Sequence, residues 1–136
     1  MATFGKTSER RLGTAHPILG ILCKRVVARR DVTVCEGWRD EVKQNLYFAM
    51  KTSKVQWPNS KHNVLPSLAV DLTPYPEMWS SVEAFKEIRL IVLEEWEIME
   101  AEFLTEGFEL RHGADWDMDG DTTDQTFMDW PHWELI

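Results

Sequence analysis

The chain has 136 residues, of which 43% are hydrophobic and 28% charged, and its formal net charge is −8. That length suffices for one compact domain with a genuine core and leaves no room for a second, so residues 1–136 are expected to form a single domain. The acidic balance argues against nucleic-acid phosphate as a partner, and the lack of any run of about 18 apolar residues argues against a membrane-spanning helix.

The charge is uneven: residues 1–30 hold seven of the 15 basic side chains and one acidic group. Such a basic end suits contact with anionic lipid or envelope polymer, though a solvated helix face is the commoner source of such runs. The opening MATFGKTSERR is too polar for an export signal, which predicts a protein held in the cytoplasm of the producing cell. Cys23 and Cys35 lack metal-type spacing and lie in apolar segments, where buried free thiols are expected.

In chain order, Ser8 is placed to cap a short first helix that His16-Pro17 interrupts, and Pro17 opens a second helix running to about Arg30. Its Ile18, Leu19, Ile21, Leu22, Val26 and Val27 recur at helical spacing. DVTVCEGW reads as a strand and a Gly37 turn, followed by a helix over 40–51 with Val42, Leu46, Ala49 and Met50 as its apolar side. Loop extends from Lys54 to Pro66, and LAVDLTPY then forms a strand ended by Pro74 and Pro76. A long helix is predicted over 81–105, with Ser80 and Glu83 as a capping box, a stripe of Val82, Phe85, Ile88, Val92, Met99 and Phe103, and a stop at Gly107. FELRH and HWELI are the last strands, separated by a polar loop from Gly113 to Asp129. Helices mixed with non-alternating strands indicate an α+β fold with a small, mostly antiparallel sheet and packed helices.

His62, Asp71 and His132 are a candidate metal-ligand set, since a catalytic zinc takes three nitrogen or oxygen ligands and keeps a further position open. Spacing alone is weak evidence for it. The surrounding residues are more specific: SKHNVLPSLAVD places Ser60, His62, Ala69 and Asp71 in order, and DWPHWEL places Asp129, His132, Trp133 and Glu134. These two stretches, with SERRL, HP and EGWRDEVKQ upstream, resemble the zinc peptidoglycan peptidases that include VanY-type D-alanyl-D-alanine carboxypeptidases and phage L-alanyl-D-glutamate endopeptidases. The likeness covers nearly the whole chain. Two departures stand out: Asp71 follows His62 by nine positions where the family signature has seven and a glycine between, and His112 stands where an aromatic is more typical. The extra pair, Pro66-Ser67, either bulges outward with both ligands in place, the expected case, or moves Asp71 off the metal.

The resemblance implies zinc on His62, Asp71 and His132 at the sheet face, Asp129 as general base, and Arg39 stabilising the oxyanion. A surface ion pair with Asp40 or Glu41 is the alternative for Arg39. Ser60, Glu134, Asp115 and Trp116 are candidates for substrate contact or for orienting a ligand, and Trp130 and Trp133 for the cleft wall or for packing. In DMDGDTTD, Asp117, Asp119 and Asp121 alternate as calcium ligands do, although the sixth and twelfth positions break the EF-hand pattern; an irregular calcium site there would order the loop before Asp129. The expected function is thus zinc-dependent hydrolysis of a peptidoglycan peptide bond by a monomeric phage endolysin, released to the host wall for lysis. The alternatives are a non-catalytic zinc-binding or structural scaffold, and a D-Ala-D-Ala carboxypeptidase or dipeptidase.

Overall fold

A computed structural model of the chain describes residues 2–136. The chain runs α1 (Lys6–Leu12), α2 (Pro17–Arg29), β1 (Val32–Glu36), α3 (Glu41–Ala49), a 3-10 turn at Lys61–Asn63, β2 (Ala69–Pro74), a second 3-10 turn at Met78–Ser80, α4 (Val82–Ala101), β3 (Leu110–His112) and β4 (His132–Leu135). The strands form one antiparallel sheet in the order β1-β2-β4-β3, so the architecture is α+β as expected.

The sheet has two chemically distinct faces because side chains alternate along a strand. Val32, Val34, Val70, Leu72, Leu110, Trp133 and Leu135 join α2 and α4 in one buried cluster, with Leu19, Leu22, Val26, Ile88, Val92 and Met99 opposite them. Asp71, His132, Glu134 and Arg111 take the other face. Register aligns them: Asp71 pairs with His132, and Arg111 pairs with Glu134. An irregularity between Val34 and Glu36 sets Glu36 opposite Asp71, which brings a third acidic group to the polar face.

Several local expectations are corrected. Ser8 does not cap α1; Gly5 holds that position, and the Ser8 hydroxyl instead accepts the Val34 amide of β1. Ser81, rather than Ser80, caps α4 by accepting the Ala84 amide, and α4 ends at Ala101 without reaching 105. Phe103 therefore leaves the stripe and is 93% exposed, and Val82 is also exposed. The apolar side of α3 faces outward, and its buried residue is Gln44. Cys23 is a buried free thiol, pushed up to about 12 by burial, whereas Cys35 is only half-buried. Three arginines of α2 and its C-terminal cap are engaged within the chain: Arg25 pairs with Glu102, Arg29 with Glu94 and Glu95, and Arg30 with Glu77 and Glu87. No helix among the described residues is long and apolar enough to cross a membrane.

Candidate metal centre and its cleft

Three elements deliver the three candidate ligands. His62 comes from the 3-10 turn, where Ser60 and Asn63 form a capping box and the Ser60 hydroxyl accepts the His62 amide. Asp71 and His132 are a cross-strand pair of β2 and β4. His62 Nε2 lies 3.2 Å from Asp71 Oδ1 and 3.2 Å from His132 Nδ1, and His132 Nδ1 lies 3.4 Å from Asp71 Oδ1. A four-coordinate cation with bonds of about 2.0–2.1 Å sets its ligand atoms about 3.3–3.4 Å apart, so the triangle has the size of one tetrahedral face.

The nine-residue interval does not displace Asp71. Within the interval Ser67 bridges to the α1–α2 turn, its amide bonding the Thr14 carbonyl and its carbonyl the His16 amide, both at 2.9 Å. Val64 and Leu65 bulge into solvent just before it.

Hydrogen positions strengthen the fit. Carbonyl and carboxylate oxygens accept only, so His62 Nδ1 donates to the Gly37 carbonyl at 2.7 Å and His132 Nε2 to Glu134 Oε1 at 2.7 Å. Each remaining ring nitrogen then presents a lone pair toward Asp71 Oδ1. Three acceptors converge on one point, an arrangement that a cation satisfies. Without one, a proton is drawn in: burial disfavours charge on His132, but hydrogen bonds to Asp71 and Glu134 outweigh it and push the imidazole up to about 9. This group could hold a metal ion.

Glu134 is itself held by Arg111, which donates to Oε2 from Nε at 3.1 Å and from Nη2 at 2.7 Å. Asp129 approaches from the turn before β4, with Oδ2 4.0 Å from His132 Nδ1. Burial, with the Asp71 charge added, raises its carboxyl to about 6. Glycine is required beneath it, because a Cβ on Gly113 would overlap the Asp129 carbonyl oxygen. Gly37 is similarly confined, as a Cβ there would overlap the Arg11 carbonyl.

Arg39 is buried at the same face, with Nη2 3.6 Å from Asp71 Oδ2 and Nε 3.6 Å from Glu36 Oε2. Its partners are therefore these two acids and not Asp40 or Glu41; Asp40 caps α3 through the Lys43 amide. A cleft of about 980 Å³ opens over the whole group, with Tyr47, Ser60, Trp116 and Phe127 among its walls. Trp116 stacks on Phe127 and donates its indole N–H to the Phe127 carbonyl at 2.9 Å.

Two expectations about this region need correction. Asp115 is buried away from the cleft, where it pairs with Arg89 at 3.2 Å and accepts the Asp119 and Gly120 amides, so it orders its loop rather than meeting substrate. The acidic groups that gather are Asp115, Asp117 and Asp119, whereas Asp121 turns to Thr123. Trp133 is core, stacked on His112 at 3.7 Å, and Trp130 gives its carbonyl to His112 Nε2. Glu36, Gln44 and Arg111 went unrecognised in the sequence. The alternation of β3 and β4 would have placed Arg111 beside Glu134 had their register been known.

Comparison with known proteins identifies the family to which this chain is similar. Residues 1–136 match the family described as phage L-alanyl-D-glutamate peptidase. The L-alanyl-D-glutamate peptidase of Escherichia phage T5 is 31% identical over 142 residues, covering 98% of this chain and 97% of that protein. Among solved structures, the L-Ala D-Glu endopeptidase ChiX of Serratia marcescens shares the fold with a TM-score of 0.75 at 22% identity, covering 99% of this chain and 90% of that one.

Proposed function

The chain belongs to the phage L-alanyl-D-glutamate peptidase family, and from that premise we propose that it is a zinc-dependent endopeptidase cleaving the L-alanyl–D-glutamate bond of bacterial peptidoglycan during phage lysis. The observation that carries this reading is the convergence of His62 Nε2, Asp71 Oδ1 and His132 Nδ1 beside the Asp129 carboxyl in an open cleft. Two imidazoles and one carboxylate are a donor set suited to zinc, with one position left over. When bound, the ion would supply Lewis acidity, lowering the pKa of water toward about 7 and polarising a carbonyl.

The remaining chemistry belongs to the chain. Asp129 Oδ2 takes the proton of the attacking water as its oxygen adds to the alanyl carbonyl carbon, and returns that proton to the glutamate nitrogen as the C–N bond breaks. Burial and the Asp71 charge raise the proton affinity of this carboxyl, which suits it to take up the water proton. Arg39 offers its fixed guanidinium to the negative charge gathering on the carbonyl oxygen. Glu134, braced by Arg111, keeps the His132 ring turned with Nδ1 toward the site. Trp116 and Phe127 give the stem peptide an apolar wall.

Asp129→Asn tests the assignment. The variant should keep one zinc per chain and lose roughly 10²- to 10⁴-fold in hydrolysis. Zinc lost together with activity would make Asp129 a structural group, and activity retained would remove it from the reaction.

A further inference from the structure

α3 turns its apolar side chains outward: Val42, Leu46 and Met50 are 79%, 52% and 60% exposed, while Gln44 is completely buried. A helix docks in this sense only if the buried amide has its polar atoms matched. All are matched here. Gln44 Oε1 accepts from Arg39 Nη1 at 3.0 Å and from Asn63 Nδ2 at 3.2 Å, and Nε2 donates to the Val55 carbonyl at 2.7 Å and to the Ser53 hydroxyl at 2.9 Å. Asn63 Nδ2 also reaches the Arg39 carbonyl at 3.2 Å. One side chain thus joins Arg39, the turn that carries His62, and the 53–55 segment of the cleft wall.

Arg39 depends on that junction. Its guanidinium has two carboxylates at 3.6 Å, beyond hydrogen-bonding distance, and Nε has no hydrogen-bond partner. Its side-chain hydrogen bond among the described residues is the one to Gln44. The Tyr47 ring supports its flat face, 4.7 Å from the centroid. Planar guanidinium and carboxylate groups close readily into two-point pairs. Freed from Gln44, Arg39 would swing onto Asp71 or Glu36 and withdraw its donors from the cleft.

We infer that Gln44 is a positioning residue that holds the Arg39 guanidinium off its neighbouring carboxylates and presents its free N–H groups to the scissile carbonyl. This rests on the functional reading above, in which Arg39 meets the oxyanion. A double-variant cycle tests it, with peptidoglycan as substrate and zinc content measured for every protein. Gln44→Met, of similar size but without the acceptor, should lower kcat by about 10- to 100-fold with KM little changed and zinc retained. In an Arg39→Ala background the same change should have no further effect, because its partner is gone. Equal slowing in both backgrounds overturns the inference, as does wild-type kcat in Gln44→Met. Should that variant fail to fold, side-chain NMR of wild-type Arg39 decides the matter: a guanidinium held by Gln44 Oε1 should rotate slowly about Nε–Cζ, and a freely rotating one overturns the inference. A wild-type chain that binds zinc and leaves peptidoglycan intact overturns the functional reading, and this inference with it.

Discussion

Asp71 and Asp129 are two carboxyls in one cleft with opposite proton affinities. Burial would raise Asp71, but the charges and hydrogen bonds of His62 and His132 hold it well below the usual carboxylate range. Asp129 lacks such close partners, and burial with the Asp71 charge lifts it to about 6. In the proposed reaction such a pair divides the roles, Asp71 staying charged as a ligand and Asp129 exchanging protons. If Asp129 is the base it must be ionised, so kcat/KM should rise with pH through an acidic limb at or below about 6, a cation in the site pulling it lower. An acidic limb that survives unchanged in the residual activity of Asp129→Asn would assign it to another group. His112 makes a separate prediction. Burial lowers its imidazole from 6.5 to about 3, in a site where Nε2–H donates to the Trp130 carbonyl and Nδ1 accepts from Arg89. Below pH 6.5 the unfolded chain binds a proton that the native chain refuses, so this contribution to stability is full above 6.5 and is lost as pH falls toward 3. The slope approaches about 1.4 kcal/mol per pH unit, and His112→Phe should remove it from urea unfolding curves taken between pH 6 and 5. An unchanged slope would contradict the burial of a neutral ring.

Elements differ in how far their periodicity foretells their packing. α4 and α2 bury most of the stripes their spacing describes, with Val82, Phe103 and Ile21 left exposed, and Ile88 is a buried member of the core cluster. α3 has an apolar stripe of the same kind and exposes it, because helical spacing identifies a face without saying what the face meets. Ile88→Ala should therefore cost about 2–5 kcal/mol, whereas Leu46→Lys should change stability by no more than about 0.5 kcal/mol. Thermal or denaturant unfolding distinguishes the two, and a large cost at Leu46 would mean that α3 packs the other way round. The same limit explains the ends of α4. Ser80 and Ser81 are both competent caps, and only the backbone of the preceding 3-10 turn selects Ser81. His62, Asp71, Asp129 and His132 were legible because each lies in a short stretch whose neighbours are informative. Glu36, Gln44 and Arg111 reach the site through a bulge, a helix rotation and a strand register, none of which leaves a local pattern in the sequence.

Across the whole molecule, the uneven charge seen in the sequence resolves into pairing between elements. Arg25, Arg29 and Arg30 pair with glutamates between Glu77 and Glu102, so three of the seven basic groups in residues 1–30 are neutralised within the fold. The sheet separates two tasks: its apolar face closes on α2 and α4, and its polar face carries two of the three candidate metal ligands, Asp71 and His132, and the braced Glu134. The fold thereby holds ligands from three separate elements on a rigid support, which a reaction centred on one carbonyl requires. The most direct test is mass spectrometry of purified peptidoglycan after incubation with the zinc-loaded chain, beside chelated protein and the Asp129→Asn variant. New alanine carboxyl and D-glutamate amino termini, formed only by the zinc-loaded wild type, are the predicted result. Termini at the D-Ala-D-Ala bond would contradict the assigned substrate bond, and intact stem peptides with a folded, zinc-replete protein would contradict the peptidase itself.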